Sequence, residues 1–308
     1  MRVNFNSSAV VVLGGDSRQA EVVRRFLSLG AEVRVCGLPW SEDFRRAKRP
    51  ETVAEAFREA RVVIGPVLGV DASGFVHAQP GVDRPEVREE DLRLLEPGAC
   101  FFIGLATSAL REMAARTGVT LVEYRDRDDF AILNSIPSAE GAIQMAMEML
   151  PITLHGSSAF VLGFGRTGQT LAGMLRGIGA RVTVAARKAR DLARIFAEGH
   201  RPVEFGELVG ELGEADAVFN TVPALVLDAK ALSALNREAA VIDLASAPGG
   251  TDFEAARRLG IRAVLAPGLP GKVAPKTAGR YVADLVVRYL KENLKEDLKE
   301  NFLSDAEV

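Results

Sequence analysis

The run Gly163-Phe-Gly-Arg-Thr-Gly168 constrains the fold of this chain more than any other feature of its sequence. Apolar residues 159–162 precede the run, and residues 167–178, which have helical periodicity, follow it. A second apolar stretch, residues 181–186, comes after that helix. A G-x-G-x-x-G loop between the strand and the helix of a βαβ unit is typical of dinucleotide-binding turns. The sequence therefore predicts a dinucleotide-binding domain around this loop.

Each glycine of the loop has its own expected role. Gly163 permits a tight turn, Gly165 lets the backbone approach a pyrophosphate, and Gly168 allows the helix to pack closely on the strand. The helix N-terminus adds amide donors and the positive end of the helix dipole. We expect these glycines, together with Arg166 and Thr167, to bind the phosphates. The alternative is a glycine turn that binds nothing.

Length, charge and composition exclude several classes of protein. A chain of 308 residues is longer than a single core usually becomes, so two domains are expected. The net charge of −3 argues against a nucleic-acid-binding surface. No apolar stretch is long enough for a membrane span, and the N-terminus lacks a signal-peptide pattern. The two cysteines, Cys36 and Cys100, and the three histidines have no metal-ligand spacing. We therefore expect a cytoplasmic protein with no metal, membrane or nucleic-acid site.

The second half of the chain has the clearer pattern of alternating strands and helices. Segments of helical type separate six apolar strands, at residues 159–162, 181–186, 202–205, 217–220, 239–244 and 262–266. Nearly all-apolar strands that alternate with amphipathic helices predict a parallel sheet covered on both faces. Six such strands are what a doubly wound dinucleotide domain requires.

The first half repeats the alternation more loosely. It has a helical segment near residues 17–29 and five apolar strands, at residues 9–13, 32–36, 62–64, 100–103 and 120–123. Its glycine loop, Gly14-Gly15-Asp16, breaks the G-x-G-x-x-G pattern, and the Asp16 carboxylate would oppose a phosphate. We therefore predict an α/β chain of two Rossmann-like doubly wound domains. The first, which is Rossmann- or flavodoxin-like, binds substrate or a partner, and the second binds the dinucleotide.

A helical segment at residues 142–150 is predicted to lead from the first domain to the second. Ser135 or Ser138 could cap its N-terminus, Pro137 suits its first turn, and Pro151 ends it.

A second long helix is predicted at residues 277–298 and is expected to pack on the first domain. The expected organisation is thus a domain at residues 1–150 joined by this helix, and a dinucleotide domain at residues 151–276. Residues 304–308 are expected to fray.

The end of the second strand of a dinucleotide domain distinguishes NAD from NADP, because an acidic residue there binds the ribose 2′-hydroxyl of NAD. Here the chain reads Ala185-Ala-Arg-Lys-Ala-Arg190, and no carboxylate occurs before Asp191. The planar fork of Arg187 can bind two oxygens of a 2′-phosphate, and Lys188 adds a second cation. A charge-assisted hydrogen bond contributes roughly 1.5–3 kcal/mol, so we expect NADP to be preferred. The alternative is a solvated basic turn that is indifferent to the phosphate.

Loops after the later strands should line the nicotinamide side of the site. Asn220-Thr-Val-Pro223 follows the fourth strand, and we expect Thr221 and Pro223 to contact the nicotinamide ribose. A purely structural turn is the alternative.

The histidines disfavour one common dehydrogenase chemistry. A 2-hydroxyacid dehydrogenase would need a histidine late in its cofactor domain, and none occurs after His200. We expect His155 to be a linker residue and His77 to lie at the surface.

Several longer motifs carry a resemblance to a known family. They are Asn134-Ser-Ile-Pro-Ser-Ala-Glu-Gly-Ala-Ile-Gln-Met-Ala-Met147, Val161-Leu-Gly-Phe-Gly-Arg-Thr-Gly168, Phe219-Asn-Thr-Val-Pro-Ala-Leu-Val226, Ile242-Asp-Leu-Ala-Ser246, Pro248-Gly-Gly-Thr-Asp-Phe253 and Ala266-Pro-Gly-Leu-Pro-Gly-Lys-Val-Ala-Pro-Lys-Thr-Ala-Gly279. In these motifs the chain resembles the family of dipicolinate synthase A subunits. The resemblance covers nearly the whole chain and is densest from Asn134 to Gly279.

The resemblance implies NADP-linked oxidation of a dihydrodipicolinate-type ring to pyridine-2,6-dicarboxylate, late in sporulation and on a branch of the lysine pathway. It also implies that the flavoprotein-like B subunit of dipicolinate synthase is a partner and that the chain is located in the mother cell of a sporulating bacterium. A homo-oligomer is expected as well.

A small cyclic dianion needs two carboxylate anchors and an orientation over the nicotinamide. The candidate anchors are Arg18, Ser135, Ser138, Lys272 and Lys276, with the backbone amides at the start of the Ser138 helix. Lys272 and Lys276 lie four residues apart near a predicted helix start. Cations do not suit the dipole there, which favours a ligand role over a solvated face.

Removal of a ring proton needs an acceptor, and Asp16 or Glu140 could serve. Each could equally be a turn or cap carboxylate. Lys272 is counted with them as a candidate catalytic residue.

Two other functions fit the residues. A shikimate-dehydrogenase-like reductase would also suit the run from Asn220 to Pro223, but the lysine and aspartate pair of that family is not found in the first half. The other is a cofactor-binding subunit whose chemistry resides in its partner.

Overall fold

Two parallel sheets organise the protein in the computed structural model, which describes residues 9–293. The sheets belong to separate units. The described residues up to Ala131 and from Pro275 form the first unit, and Ile132–Ala274 form the second. The predicted α/β fold with two doubly wound domains is confirmed.

The sheet of the first unit has five parallel strands in the order β2-β1-β3-β4-β5. The strands are β1 (Ala9–Leu13), β2 (Glu32–Cys36), β3 (Ala60–Ile64), β4 (Cys100–Ile103) and β5 (Thr120–Glu123). This is the flavodoxin-like order, in which the chain reverses its winding direction between β1 and β3. All five predicted strands are confirmed, and β3 begins two residues earlier than predicted.

Four helices of the first unit lie among these strands. They are α1 (Arg18–Ser28), α2 (Val53–Phe57), α3 (Glu89–Leu92) and α4 (Ser108–Thr117). Helix α1 buries Val22, Val23 and Phe26 against the sheet, as its apolar spacing requires. Every residue of β1 is buried, as expected for a central parallel strand covered on both faces.

Helix α5 (Asp128–Met149) begins ten residues before Ser138, so Ser135, Pro137 and Ser138 lie inside it. The prediction that a serine caps this helix is therefore wrong. Each serine hydroxyl instead donates to a carbonyl of the same helix, Ser135 to Ile132 and Ser138 to Asn134. Serine can satisfy its hydroxyl in this way, so Ser and Pro together do not define a helix start.

The boundary between the units lies within α5, whereas the sequence predicts a boundary after Leu150. The reason is the apolar face of the helix. Ala139, Ala142, Ile143 and Ala146, with Leu150 just beyond, are buried in the core of the second unit.

The sheet of the second unit has six parallel strands in the order β11-β10-β9-β6-β7-β8. They are β6 (Ser158–Leu162), β7 (Arg181–Ala186), β8 (Arg201–Glu204), β9 (Ala217–Asn220), β10 (Ala240–Asp243) and β11 (Arg262–Leu265). Counted within the sheet, this is the order 3-2-1-4-5-6 of the dinucleotide-binding fold. All six predicted strands are present, with ends shifted by at most one residue.

Six helices lie between and after these strands. They are α6 (Arg166–Ile178), α7 (Ala189–Ala197), α8 (Leu208–Glu211), α9 (Ala229–Ser233), α10 (Phe253–Leu259) and α11 (Leu269–Val273). Helix α6 ends at Gly179, whose φ of +96° suits a glycine C-cap.

Helix α12 (Pro275–Asn293) returns the chain to the first unit and packs along α1. A Cβ at Gly279 would overlap the carbonyl of Arg18, so only glycine permits this approach. The predicted helix at residues 277–298 is confirmed as far as Asn293. Its remainder, the predicted fraying at 304–308 and the N-terminal signal-peptide expectation concern residues outside the described range. Within that range no helix has the length and apolar character that a membrane span requires.

Candidate dinucleotide site

The glycine loop connects β6 to α6 in the second unit. Gly163 has a φ of +95°, and a Cβ there would lie 2.6 Å from Thr221 Oγ1. A Cβ at Gly168 would overlap the Gly163 carbonyl oxygen. A Cβ at Gly165 would meet nothing within 4 Å. Gly163 thus makes the tight turn, Gly168 permits the close packing, and Gly165 borders open space.

The first turn of α6 is suited to binding an anion. Gly165 is its N-cap and has no side chain to accept hydrogen bonds from the first-turn amides, which lack partners within the helix. The Gln169 side chain donates to the Phe164 carbonyl at 3.0 Å and so stabilises the loop. Arg166 and Thr167 lie in this same turn, with Arg166 exposed. A phosphate at this position would accept from these amides and face the positive end of the helix dipole.

Thr221 supports the loop from the end of β9. Its backbone amide and its hydroxyl both donate to the carbonyl of Leu162, at 2.9 and 2.8 Å. The hydroxyl lies beside Gly163, while Pro223 is exposed. Contact of Thr221 and Pro223 with a nicotinamide ribose stays a prediction.

A buried carboxylate at the end of β10 organises the neighbouring loops. Asp243 is fully buried, and its Oδ1 accepts from Asn220 Nδ2 and Ala245 N, each at 3.0 Å. Its Oδ2 accepts from Gly250 N at 2.8 Å and Thr251 Oγ1 at 2.7 Å. Four donors thus replace the water that the carboxylate loses on burial.

Asn220 extends this network to the loop after β9. Its Oδ1 accepts from the amide of Val222 and its Nδ2 donates to the Val222 carbonyl, both at 3.0 Å. Sequence reasoning missed the roles of Asn220 and Asp243. The available signal was a polar residue at the last position of each of two otherwise apolar strands.

The basic turn after β7 exposes its cations. Arg187 and Lys188 are exposed, and neither forms an ion pair with a residue in the 9–293 range. Arg190 instead pairs with Asp191, at 3.3 Å. Two cations are therefore available at the strand end, and Asp191 already has a partner.

Asp16 and Arg18 lie together in the loop between β1 and α1 of the first unit. Arg18 Nε is 2.8 Å from Asp16 Oδ1, and Nη2 is 2.6 Å from Oδ2. Burial raises the pKa of Asp16, but the hydrogen bonds and charge of Arg18 outweigh it and hold the pKa below its ordinary value. The Asp16 carboxylate also accepts from the Arg18 amide at 3.0 Å and so occupies a donor of the first turn of α1.

Ser135, Ser138 and Glu140 lie on the part of α5 that belongs to the second unit. Ser135 is 2% exposed, and its Oγ lies 2.6 Å from Thr170 Oγ1 on α6. The backbone amides near Ser138 are inside the helix, so the expected free amides of a helix start are not there. Glu140 is exposed at the edge of an apolar groove of about 550 Å³, which is also lined by Met147 and other apolar residues.

The sequence predicts that Lys272 and Lys276 lie near one helix start. The structure instead places them in different helices. Lys272 is in the last turn of α11, and Lys276 is in the first turn of α12. Ala274 breaks the helix between them, with a φ of −141° and a ψ of 56°. Lys272 therefore lies where a cation suits the helix dipole. Both lysines are exposed, without an ion pair to any described residue.

Metal chemistry and histidine chemistry receive no support from the described residues. In the 9–293 range, no group of three or more His, Cys, Asp or Glu side chains could hold a metal ion. His155 is exposed, with Nδ1 3.0 Å from the Ile178 carbonyl. His200 is buried at the start of the β8 region.

Comparison with known proteins places this geometry in a family. The model of the N-terminal domain of the dipicolinate synthase A subunit matches residues 9–125. The A subunit of dipicolinate synthase from Bacillus subtilis (strain 168) is 37% identical over 269 residues, which are 87% of this chain and 91% of that protein. The chain belongs to the family of dipicolinate synthase A subunits. The resemblance predicted from the motifs is confirmed.

Two crystal structures of this family have the same fold. The A subunit of dipicolinate synthase from Bacillus halodurans is 37% identical, with a TM-score of 0.85 over 93% of this chain and 99% of that one. The dipicolinate synthase A chain from Bacillus subtilis is 36% identical, with a TM-score of 0.85 over 94% and 97%.

The second unit also matches a wider family of dinucleotide domains. The model of the D-isomer specific 2-hydroxyacid dehydrogenase NAD binding domain matches residues 135–249. The second unit thus carries an NAD-binding, dehydrogenase-type domain. The match concerns the dinucleotide domain, and the chain has no histidine after His200 for hydroxyacid chemistry.

Proposed function

We propose that this protein is an NADP-dependent oxidoreductase that converts a dihydrodipicolinate-type ring to pyridine-2,6-dicarboxylate. One observation carries the proposal. An open, uncapped glycine loop of the dinucleotide type occurs in a chain that is 37% identical to a dipicolinate synthase A subunit over most of its length.

The residues of the second unit fit a nicotinamide dinucleotide. The amides after Gly165, with Arg166 and Thr167, would hold the pyrophosphate, since a Cβ at Gly165 meets open space and the first turn is uncapped. Arg187 and Lys188 would hold a 2′-phosphate, because both are exposed and neither has an acidic partner among residues 9–293. The loops tied by Asn220 and Asp243 would border the nicotinamide end.

The proposed reaction depends on substrate binding by the protein more than on acid–base catalysis. One ring C–H bond breaks and its hydrogen leaves as hydride, a second ring proton goes to a base or to water, and the ring becomes aromatic. The oxidised dinucleotide, when bound, accepts the hydride. Because aromatisation favours this loss, the chain must chiefly hold the dianion in one orientation and exclude competing geometries.

The anchors of the two carboxylates are proposed among the cations. The candidates are Arg18, Lys272 and Lys276. Glu140, exposed on α5, is the proposed proton acceptor. Ser135 and Ser138 are left out of the proposal, because their hydroxyls already bond to helix carbonyls.

The cellular setting is proposed from the family. The Bacillus subtilis relative is named as one subunit of dipicolinate synthase, so a second subunit is expected, and we propose a flavoprotein-like B subunit. We also propose a homo-oligomer in the cytoplasm of the mother cell during sporulation, on a branch of the lysine pathway.

One experiment tests the proposal. The purified chain is mixed with a dihydrodipicolinate-type intermediate and NADP, with and without the B subunit, and dipicolinate is followed by its ultraviolet absorbance. Dipicolinate formed by the chain alone supports the proposal in full. NADP binding with turnover only in the presence of the B subunit would assign the chain the role of a cofactor-binding subunit. Absence of dipicolinate in both mixtures would contradict the proposal.

A further inference from the structure

The β1–α1 loop of the first unit lies where parallel α/β sheets usually bind ligands. In the order β2-β1-β3-β4-β5, the winding direction reverses between β1 and β3, and crevices form at the carboxyl ends of such strands. Gly14, Gly15 and Asp16 follow β1, and Gly65 follows β3. Asp16 already accepts from the Arg18 amide in the first turn of α1, so this amide is not available to a ligand.

The Arg18 guanidinium is fixed in this loop by one carboxylate. Its side chain is 5% exposed, and Asp16 takes both Nε and Nη2. Asp16 is itself 37% exposed, so water screens its charge more than that of Arg18.

One nitrogen of Arg18 stays available. Nη1 has no hydrogen-bond partner among the described residues. Some described side-chain nitrogen and oxygen atoms without a hydrogen-bond partner are fully buried, and Nη1 is not one of them. The small exposed part of Arg18 therefore includes Nη1, a charged donor that still has hydrogen atoms to share.

The backbone around Arg18 is also fixed. Helix α12 packs on the Arg18 carbonyl at Gly279, where any side chain would overlap it. The amide of Gly15 donates to the His77 carbonyl at 2.6 Å and holds the preceding turn. Tyr124 donates to the Gly65 carbonyl at 2.9 Å, and burial raises its pKa, so this neighbour of the ion pair is neutral.

We infer that this loop is a carboxylate-binding subsite in which Arg18 Nη1 donates to the ligand and Asp16 is a positioning residue. The inference rests on the proposed function for the ligand, a pyridine dicarboxylate. Asp16 does not act as the base, because a carboxylate whose lone pairs are held by a guanidinium and an amide accepts a further proton poorly. Its role is to orient the guanidinium so that the third nitrogen points its hydrogens outward.

Calorimetric titration with pyridine-2,6-dicarboxylate and pyridine-2-carboxylate, in the presence of NADP, tests the inference. Arg18→Met should weaken dicarboxylate binding about tenfold or more, as loss of a hydrogen bond to a charged group implies. Arg18→Lys should recover only part of it, because lysine lacks the fork that Asp16 orients. Asp16→Asn should weaken binding less, and should add nothing to Arg18→Met.

Asp43→Asn is the matched control. Asp43 forms an exposed ion pair at 2.7 Å with Arg24, which lies on the same helix as Arg18. This variant should bind both ligands like the wild type. NADP affinity and thermal unfolding verify that each variant is folded.

Wild-type binding that Arg18→Met does not weaken would overturn the inference and leave the proposed function standing. Equal binding by Asp16→Asn and the wild type would overturn the positioning role. A wild-type chain that binds neither pyridine acid would overturn the inference together with the proposed function.

Discussion

Asn220 Nδ2 donates to Asp243 Oδ1 across 3.0 Å and so links the ends of β9 and β10 through side chains, beside the backbone hydrogen bond from the Leu244 amide to the Asn220 carbonyl at 2.8 Å. Both residues are fully buried, and the same carboxylate holds the amides of Ala245 and Gly250. The two loops that border the nicotinamide end of the proposed site are thus held by one charged group, whose geometry depends on four donors.

Asp243→Asn should therefore destabilise the second unit. The substituted amide keeps the shape but turns an NH2 group toward donors, which leaves buried donors without an acceptor. The expected loss is about 1–3 kcal/mol in the free energy of unfolding, measured by urea denaturation. Asp228→Asn is the control, because Asp228 caps α9 from an exposed position and asparagine caps equally well. Equal stability of the two variants would argue against a structural role for the network.

Gly165→Ala should weaken dinucleotide binding without unfolding the protein. The backbone at Gly165 has φ −80°, which alanine adopts freely, and the new methyl group would enter the open space beside the uncapped turn. We expect the dissociation constant of NADP to rise about tenfold, which corresponds to roughly 1.4 kcal/mol. Fluorescence titration measures it.

Gly173→Ala on the same helix is the matched control. A Cβ at Gly173 also meets open space, so it should leave binding unchanged and stabilise α6 by up to about 1 kcal/mol. If both alanines left NADP affinity unchanged, the phosphates would not lie at Gly165.

The strands of both units were predictable because parallel strands buried on both faces are almost wholly apolar, as Val10 to Leu13 illustrate. The glycine loop was predictable because a different steric or conformational requirement explains each of its three glycines. The serines and the proline at residues 135–138 led to the wrong prediction of a helix start. A serine hydroxyl can bond either to a free amide at a helix start or to a carbonyl within its own helix. Lys272 and Lys276 lie in separate helices because the backbone breaks at Ala274, and the sequence signal was Pro275, since the residue before a proline is disfavoured in the helical conformation.

The pairing of Asn220 with Asp243 could not be predicted from the sequence, for a different reason. Strand order decides that β9 and β10 are neighbours, and nothing in the local sequence around either residue specifies the other. Polar residues at strand ends predict a functional edge of the sheet, but their partners follow only from the topology.

Arg187→Ala should abolish a preference for NADP over NAD. Arg187 is exposed after β7, with no acidic partner among residues 9–293, so a 2′-phosphate would be its natural partner. The ratio of NAD to NADP dissociation constants should fall about ten- to hundredfold, with NAD affinity unchanged. Arg190→Ala is the control, because Arg190 already pairs with Asp191. A ratio that stays constant in Arg187→Ala would remove Arg187 from the cofactor site.

His200 should make the second unit less stable in mild acid. Burial lowers the pKa of His200, the Arg176 charge lowers it further, and Nδ1 has no hydrogen-bond partner among the described residues. Because the folded pKa lies below the unfolded value of 6.5, the unfolded chain binds the proton more readily, and stability falls as the pH drops below that value. His200→Gln should flatten this part of the pH dependence in urea denaturation. A wild-type slope that persists in His200→Gln would place the acid sensitivity on other groups.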